Sequence, residues 1–125
     1  MAITLSTTLR NARADAITTN AGTSAKLVIY TAAYAATLVT CICNAAQFAP
    51  AAVNGVLTLS AISAGTATGA GTAAIARIYK SDGVTMVAEG LTVGVGTFNI
   101  NITNTTIAVS DTVTVTSATI TEGNP

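Results

Sequence analysis

The side chains that could do acid–base, nucleophilic or metal chemistry are few in this sequence. Its 125 residues include no histidine and only five carboxylates. General acid–base catalysis needs titratable groups that are held together with shifted pKa values. A serine or threonine nucleophile also needs a base, which histidine most often supplies; Lys26 or Lys80 could in principle replace it, but nothing singles out either. The composition therefore predicts that the chain is not an enzyme, and it indicates no catalytic residue.

The five carboxylates have simpler explanations than catalysis. Asp82 and Asp111 lie in predicted turns, where a side-chain oxygen binds local backbone N–H groups. Glu89 is best explained by an ion pair with Arg77 across a hairpin. A carboxylate pair for glycoside hydrolysis would have to be assembled by tertiary accident. Asp15 lies on the predicted helix, and Glu122 lies near a frayed end of the chain.

The only two cysteines, Cys41 and Cys43, are separated by one residue. On an extended strand they point to the same face, but a disulfide between such neighbours is geometrically awkward. A zinc site needs about four ligands, usually Cys or His. The pair is therefore predicted to be two small buried hydrophobic residues, and no metal is expected.

The glycine-rich segment 69–74 (GAGTAA) matches the dinucleotide-binding pattern G-x-G-x-x-A, and Glu89 lies near the distance of a ribose-binding acid. That motif requires a strand, a turn and then a helix. The residues that follow, IARIYKSDG, indicate a strand entering a turn instead. The segment is interpreted as a mobile loop between strands, and no cofactor is expected.

The charge and hydropathy of the chain exclude two further classes of partner. The net charge is zero, so the electrostatic basis of nucleic-acid binding is missing. The most apolar stretch, residues 31–43, is far too short to span a membrane. The first residues lack the pattern of a secretory signal, so synthesis in the cytoplasm is expected. A weakly charged surface resists association poorly, which predicts that neighbouring chains cover much of it.

One helix is predicted, over residues 7–20. Ser6 or Thr7 can cap its N-terminus, and Gly22 follows its end. An apolar stripe at helical spacing is expected to face the core. Its members are Leu9, Ala12, Ala16 and Ile17.

The rest of the chain is predicted to form about seven short strands. They lie within residues 26–31, 37–43, 56–62, 73–89, 97–102 and 112–121. Residues 47–55 are a loop with an Asn54-Gly55 turn, and residues 65–72 are the most flexible-looking segment. Strand alternation predicts inward side chains at Leu57, Leu59, Ala61, Phe98, Ile100 and Ile102, and outward ones at Thr58, Ser60, Asn99 and Asn101.

Two local features set strand register. In the 73–89 hairpin a three-residue loop with left-handed Gly83 pairs Ile78 with Met86 and Ala76 with Ala88, whereas a two-residue loop would pair Ala76 with Glu89; the first register is preferred. In the 112–121 strand the apolar positions change parity, which predicts a β-bulge near residues 116–117.

Together these elements predict a mainly β chain with a single domain, residues 1–125. The expected fold is an antiparallel β-sandwich or jelly-roll-like domain with one short N-terminal helix. Residues 1–5 are a possible N-terminal arm and residues 122–125 a loose tail. The arm and the 65–72 loop are expected to become ordered only on assembly.

A row of threonines on the last strand, Thr112, Thr114 and Thr116, permits three interpretations. Short neutral side chains form a protein–protein packing face at little entropic cost. Ordinary solvent-facing strand surface is the second interpretation. An ice- or glycan-binding row of hydroxyl groups is the third and the weakest, because the row is only three residues long.

Several segments resemble a known group of proteins. The opening MAITLSTTLRNARADAITTNAG with AKLVIYT, the IARIYKSDG turn and the closing TVTVTSATITEGN are similar to small structural virion proteins, of the decoration or cement type, from tailed bacteriophages and prophages. Residues 32–71 show no specific resemblance.

The resemblance implies a non-enzymatic component of the phage particle. A capsid decoration (cement) protein, which stabilises the shell by protein–protein packing, is expected first, and a tail or connector component is the alternative. A glycan-binding β-sandwich module is a further alternative. The implied partners are the chain itself, as a homo-oligomer with a trimer favoured, and the major capsid protein, and the implied location is the virion. Nucleic acid, membrane and small-molecule substrates are not expected as partners.

Overall fold

The structure, a computed structural model, describes residues 4–44 and 47–121. These residues form one α-helix, a short 3-10 turn over Ala32–Tyr34 and eleven strands, so the chain is mainly β as predicted. The helix and strands are α1 Thr7–Ala21, β1 Lys26–Tyr30, β2 Thr37–Ile42, β3 Val56–Thr58, β4 Gly65–Thr66, β5 Gly71–Thr72, β6 Ile75–Tyr79, β7 Met86–Gly94, β8 Ile100–Ile102, β9 Thr106–Ile107, β10 Thr112–Val113 and β11 Val115–Thr121.

Seven of the strands form one curled sheet in the order β2-β1-β6-β7-β8-β11-β3. Within it, β7 and β8 are parallel and the other paired strands are antiparallel. Two further pairs, β10 with β4 and β5 with β9, form small separate sheets. We call these two sheets and their connections, residues 65–73 and 103–113, the loop layer. Residues of this layer share one hydrophobic core with the large sheet, which makes the fold sandwich-like.

The large sheet has a buried inner face and a more polar outer face where β1 pairs with β2 and β6. Leu27 pairs with Cys41 and Ile78, and Ile29 pairs with Val39 and Ala76; all six side chains are buried. The alternate residues of β1 and β6 lie on the opposite face. Those outer residues are Lys26, Val28, Tyr30, Ile75, Arg77 and Tyr79.

The edges of the large sheet are covered in part by the chain itself. Along β2, the carbonyl of Leu38 accepts hydrogen bonds from Thr68 N and Gly69 N, and the carbonyl of Ile42 accepts one from Ser63 N. Unpaired edge groups are a template for strand addition by another chain. These contacts block that route along β2 and leave side-chain surfaces for association.

The predicted helix and its caps are confirmed. α1 spans Thr7–Ala21, and the Ser6 side chain accepts a hydrogen bond from Leu9 N at 3.2 Å. Gly22 follows the helix with φ at 68°, and its N–H binds the carbonyl of Thr18. The left-handed φ is one that glycine adopts without a steric penalty, so the helix ends here.

The predicted buried face of the helix is wrong. Leu9 is 46% exposed, and Ala12 and Ala16 are exposed as well, while the fully buried positions are Ala14 and Ala21. The fourth predicted member, Ile17, packs partly against the core.

Polar side chains explain the rotation of this face. Asn11 Oδ1 accepts a hydrogen bond from Gly55 N, and Asp15 Oδ1 accepts one from Ala52 N, both at 2.7 Å. These two side chains therefore satisfy the backbone of the 47–55 loop and turn the Leu9 stripe toward solvent.

The predicted turn at Asn54-Gly55 is confirmed. Both residues have positive φ, 51° and 75°. Val53 and Val56 exchange N–H···O bonds in both directions, at 3.0 and 2.9 Å. This is the two-residue hairpin turn that asparagine followed by glycine favours.

The prediction for residues 56–62 holds in its first half only. Leu57 and Leu59 are buried, but Ala61 is exposed and β3 ends at Thr58. After Leu59 the chain leaves β11: Ser60 N binds the carbonyl of Phe48 instead. The alternation breaks because the pairing partner changes.

The 65–72 segment, which was predicted to be a flexible loop, contains two short strands. Gly65 and Thr66 pair with β10, and Gly71 and Thr72 pair with β9. A Cβ built on Gly65 would lie 2.5 Å from the carbonyl oxygen of Thr40, so glycine permits the close approach of β4 to β2. The segment therefore has hydrogen-bonded partners within the single chain.

Both predicted registers of the 73–89 hairpin are wrong. Ile78 pairs with Ala88, Tyr79 with Met86 and Ala76 with Leu91, and the register shifts twice along the ladder. The loop is longer than predicted, because Lys80 N binds the carbonyl of Thr85. The left-handed Gly83, with φ at 73°, is confirmed.

Two predictions about β8 and β11 have opposite outcomes. The register of β11 against β8 shifts between Val115 and Ser117, which confirms the predicted bulge. The alternation predicted for residues 97–102 is wrong at two positions, because Phe98 is 43% exposed and Asn101 is buried. Asn101 takes the core position because its amide binds the backbone of Phe98.

Residues 1–3 of the expected arm and the expected tail, residues 122–125, lie outside the described residues. None of the helical segments that the structure describes has the length and apolar character needed to cross a bilayer.

Candidate functional site

The chain's three tyrosines gather on the outer face of the large sheet. Tyr30 ends β1, Tyr79 ends β6, and Tyr34 lies in the turn after β1. With Arg77 of β6 and Glu89 of β7 they form what we call the tyrosine–arginine cluster. Tyrosine and arginine are the residue types most enriched at the energetic centres of protein interfaces.

Arg77 is the centre of this cluster. Its guanidinium carbon lies 3.7 Å from the centre of the Tyr34 ring and 5.6 Å from that of Tyr30. The two rings meet edge to face, with centroids 5.2 Å apart. Arg77 Nε also pairs with Glu89 Oε2 at 3.2 Å, which confirms the predicted ion pair. Because the guanidinium binds both a carboxylate and aromatic faces, it is held in one orientation.

The phenol groups of the cluster bind one another. Tyr30 Oη and Tyr79 Oη are 2.9 Å apart. Burial, followed by the contact with Tyr79, raises the pKa of Tyr30 to about 12, while the hydrogen bond with Tyr30, together with Arg77, lowers the pKa of Tyr79. The hydroxyl groups of Tyr30 and Tyr79 thus satisfy each other within the cluster.

Tyr34 is held over the sheet by an unusual backbone. Ala33 and Tyr34 are consecutive non-glycine residues with left-handed φ, 58° and 57°. The ends of this segment are joined by Thr31 N to the carbonyl of Ala36, and by Ala36 N to Thr31 Oγ1, both at 3.0 Å. We call residues 31–36 the strap. Tyr34 Oη accepts a hydrogen bond from Gly90 N at 2.8 Å, which ties the strap to β7.

Apart from the Arg77–Glu89 pair, nothing in the local sequence indicates this cluster. Tyr30 and Tyr79 are 49 residues apart in the chain, and their contact follows from the pairing of β1 with β6. The Arg77–Glu89 pair was recognisable because both residues belong to one hairpin. The contacts of Tyr34 depend on a left-handed turn that its sequence, alanine followed by tyrosine, does not favour.

The two cysteines are free and buried, as predicted. Burial raises the pKa of both thiols, and with a further contribution from Cys41 it brings the pKa of Cys43 to about 12. The thiolate is the nucleophile and metal ligand, so neither residue is suited to that chemistry here.

Asp82 and Asp111 occupy turns, as predicted. Asp82 Oδ1 accepts hydrogen bonds from Val84 N and Thr85 N, and Oδ2 accepts one from the Thr85 hydroxyl. The hydroxyl bond first, and the two backbone bonds with it, lower the pKa of Asp82 to about 2. Asp111 Oδ2 accepts a bond from Ala108 N at 2.9 Å. Among the described residues no three His, Cys, Asp or Glu side chains are grouped so that they could hold a metal ion.

The glycine-rich motif has the wrong surroundings for a dinucleotide. Gly71 and Thr72 form β5, and the chain continues directly into β6. A pyrophosphate site of this type needs a helix N-terminus after the glycines. The fold places a strand there, in agreement with the interpretation of the sequence.

The charged side chains are concentrated in two regions of the fold. A large part of the rest of the chain has almost no charged side chain. One group lies on α1 and the other on β1 and the β6–β7 hairpin. Residues 31–72 contain no charged side chain, and residues 92–121 contain only Asp111. We call the exposed part of these two segments the neutral surface. The threonine row on residues 112–116 belongs to it, and all three hydroxyl-bearing side chains are exposed.

Large apolar side chains are exposed on the neutral surface. Val109 of the loop layer is 59% exposed, and Phe98 lies at the turn before β8. Others in the same segments are Ile42, Val53 and Val95. Depletion of charge together with exposed apolar side chains is the composition of an interface core.

The chain matches no protein-family model, no curated protein and no solved structure.

Proposed function

We propose that this chain is a non-enzymatic structural protein of a bacteriophage particle, most specifically a capsid decoration (cement) protein. It stabilises the shell by protein–protein packing, as a homo-oligomer with a trimer favoured, bound to the major capsid protein. Its place is therefore the virion. The proposal combines the resemblance of the sequence segments with the surface of the fold.

The observation that carries the proposal is the neutral surface. An exposed charge must be desolvated when another protein covers it, whereas threonine, alanine and valine side chains are covered at little cost. Residues 31–72 and 92–121 together offer such side chains, with one carboxylate among them. A solvent-exposed surface of this kind also lacks the charge that keeps a free monomer soluble.

Association through side-chain faces fits the covered sheet edge. The outer edge of β2 is hydrogen-bonded to residues 63–69 of the same chain. Along this edge, a second chain therefore docks on side chains instead of adding a strand. The tail or connector location is the alternative for the same surface, because such a component is also packed among protein neighbours.

The first test is the mass of the purified chain in solution. Light scattering over a concentration series is expected to show a stable oligomer. Co-sedimentation with empty capsids, assembled from the major capsid protein encoded in the same phage or prophage genome, is then expected to show binding. A monomer at every concentration that also fails to sediment with capsids would overturn the proposal.

Two matched variants locate the contact. Val109→Lys adds a charge to the neutral surface, and Val84→Lys adds the same charge to the hairpin, which is already charged; these side chains are 59% and 80% exposed. Neither change disturbs the core. We expect Val109→Lys to weaken self-association or capsid binding and Val84→Lys to leave both unchanged. The reverse pattern would assign the contact to the hairpin and contradict the role of the neutral surface.

A further inference from the structure

A groove with a volume of about 180 Å³ opens in the loop layer. Five polar side chains line it, and they come from both ends of the segment 103–112. Two apolar residues, Ile107 and Val113, complete the lining and are themselves almost fully buried, so they form its base. The five polar residues are Thr103, Asn104, Thr106, Asp111 and Thr112.

Two of these side chains are fixed in place and keep hydrogen-bonding capacity. Asn104 Oδ1 accepts a bond from Thr106 N at 3.0 Å, and Asp111 Oδ2 accepts one from Ala108 N at 2.9 Å. Asn104 Nδ2 and Asp111 Oδ1 bind no group of the described residues. The groove therefore offers an oriented donor and an oriented acceptor, and the threonine hydroxyl groups can serve as either.

The backbone beneath the groove is paired on both sides. Thr112 and Val113 pair with Thr66 and Gly65, and Thr106 and Ile107 pair with β5. Polar groups on such a support are held in position before a ligand arrives, which reduces the entropy that binding costs.

The lining excludes most ligand classes. A carboxylate without a nearby cation in the groove disfavours anions, and polar rims disfavour purely apolar ligands. A calcium ion takes six to eight oxygen ligands, usually with more than one carboxylate, whereas Asp111 is the only one here. The volume is below that of pockets for drug-sized molecules, so the ligand is small.

We propose that this groove binds one ring of a neutral carbohydrate, either a free hexose or one hexose residue of a glycan. Ring hydroxyl groups donate to Asp111 Oδ1 and accept from Asn104 Nδ2, above the base that Ile107 and Val113 form. The proposal does not depend on the structural role in a phage particle. Because the groove is small and open, we expect weak binding.

The test is an NMR titration of the ¹⁵N-labelled full chain. The probes are the methyl glycosides of glucose, galactose, mannose and N-acetylglucosamine, each alone, with calcium chloride as a separate probe. We expect saturable shifts with at least one glycoside, confined to the amides of residues 103–113. Shifts that do not saturate, or that lie elsewhere, would overturn the proposal, and so would shifts in this region with calcium alone.

Variants separate the groove from the rest of the surface. Asp111→Asn keeps an oxygen for Ala108 N but replaces the free acceptor by a donor, and Thr112→Val removes a hydroxyl at constant shape. We expect each variant to weaken glycoside binding about tenfold, which is the effect of losing one hydrogen bond to a charged or polar group. Thr114→Val, outside the groove, is the control. Unchanged binding in both groove variants, with their spectra still folded, would overturn the proposal.

Discussion

The guanidinium group of Arg77 lies over the ring of Tyr34, with 3.7 Å between the guanidinium carbon and the ring centre. The two residues come from different elements, a β-strand and the strap that follows β1. Left-handed backbone at a non-glycine residue costs about 1–2 kcal/mol, and two such residues, Ala33 and Tyr34, stand side by side here. The contacts of the Tyr34 side chain must offset that cost.

These contacts hold the strap over the outer face of the sheet. Tyr34 contacts Arg77 and Tyr30 and accepts a bond from Gly90 N, and thus links β1, β6 and β7. Backbone strain of this kind persists only where the surroundings enforce it. The strap is consequently the place where small substitutions report most directly on the tertiary contacts of this face.

Tyr34→Phe is expected to lower the free energy of unfolding by about 0.5–1.5 kcal/mol, the usual net contribution of one hydrogen bond. The substitution removes the Gly90 N–H···Oη bond and keeps the ring over Arg77. Tyr34→Ala removes both contacts, so its loss should be clearly larger. Urea unfolding followed by circular dichroism measures both. Equal losses in the two variants would show that the ring contributes nothing through Arg77.

Ala33→Gly is expected to raise the free energy of unfolding by roughly 0.5–1 kcal/mol, because glycine relieves the left-handed strain and loses part of that gain as unfolded-state entropy. Ala35 has right-handed φ and ψ, −66° and −37°, in the same segment. Ala35→Gly is therefore the control and should destabilise by a similar amount. Thermal unfolding of both variants gives the comparison, and two changes of the same sign would refute the strain argument.

Features that depend on neighbours in sequence could be predicted from the residues alone. The bulge between Val115 and Ser117 followed from the change of parity in one strand, and the Asn54-Gly55 turn followed from the φ preferences of those two residues. The caps of α1 and the Arg77–Glu89 pair could also be predicted from nearby residues. In each case the partners lie within one element or one hairpin.

Features that depend on distant partners could not be predicted. The helix buries Ala14 and not Leu9, because Asn11 and Asp15 bind the backbone of the 47–55 loop. A hydrophobic pattern along the sequence does not reveal hydrogen bonds between polar helix residues and a distant loop. The loop layer was likewise hidden, because its strands are two residues long and pair across distances of more than thirty residues.

Among the polar residues, Asn101 is the one whose replacement should lower the free energy of unfolding most. It is 8% exposed, accepts a bond from Phe98 N, and donates to the carbonyl of Phe98 and to Ser117 Oγ, at 2.9–3.0 Å. Asn101→Ala is expected to cost about 2–3 kcal/mol, since partners of the amide lose their bonds in a buried setting. Ser117→Ala, which removes one of the three bonds, should cost about 1 kcal/mol. Chemical unfolding that ranks Ser117→Ala at or above Asn101→Ala would contradict this assignment.

Asp82 is expected to make the stability of the hairpin pH-dependent. Its pKa is lowered to about 2 by bonds from the Thr85 hydroxyl and from the Val84 and Thr85 N–H groups. A carboxyl whose folded pKa lies below its unfolded value, about 4, stabilises the fold fully above that unfolded value. The contribution is then lost as the pH falls toward 2. Asp82→Ala should accordingly lower Tm at pH 7, and the difference from the parent chain should shrink as the pH is lowered.

The matched control for this experiment is Ser81→Ala, in the same turn. Ser81 is exposed and makes none of the side-chain bonds that hold the turn among the described residues. Its Tm difference from the parent should be small and independent of pH. The measurement is a series of calorimetric scans between pH 2 and pH 7 on all three proteins, a range that spans the folded and unfolded pKa values. A pH-independent deficit in Asp82→Ala would mean that the carboxylate acts through its shape, because the loss of charge at low pH would then change nothing.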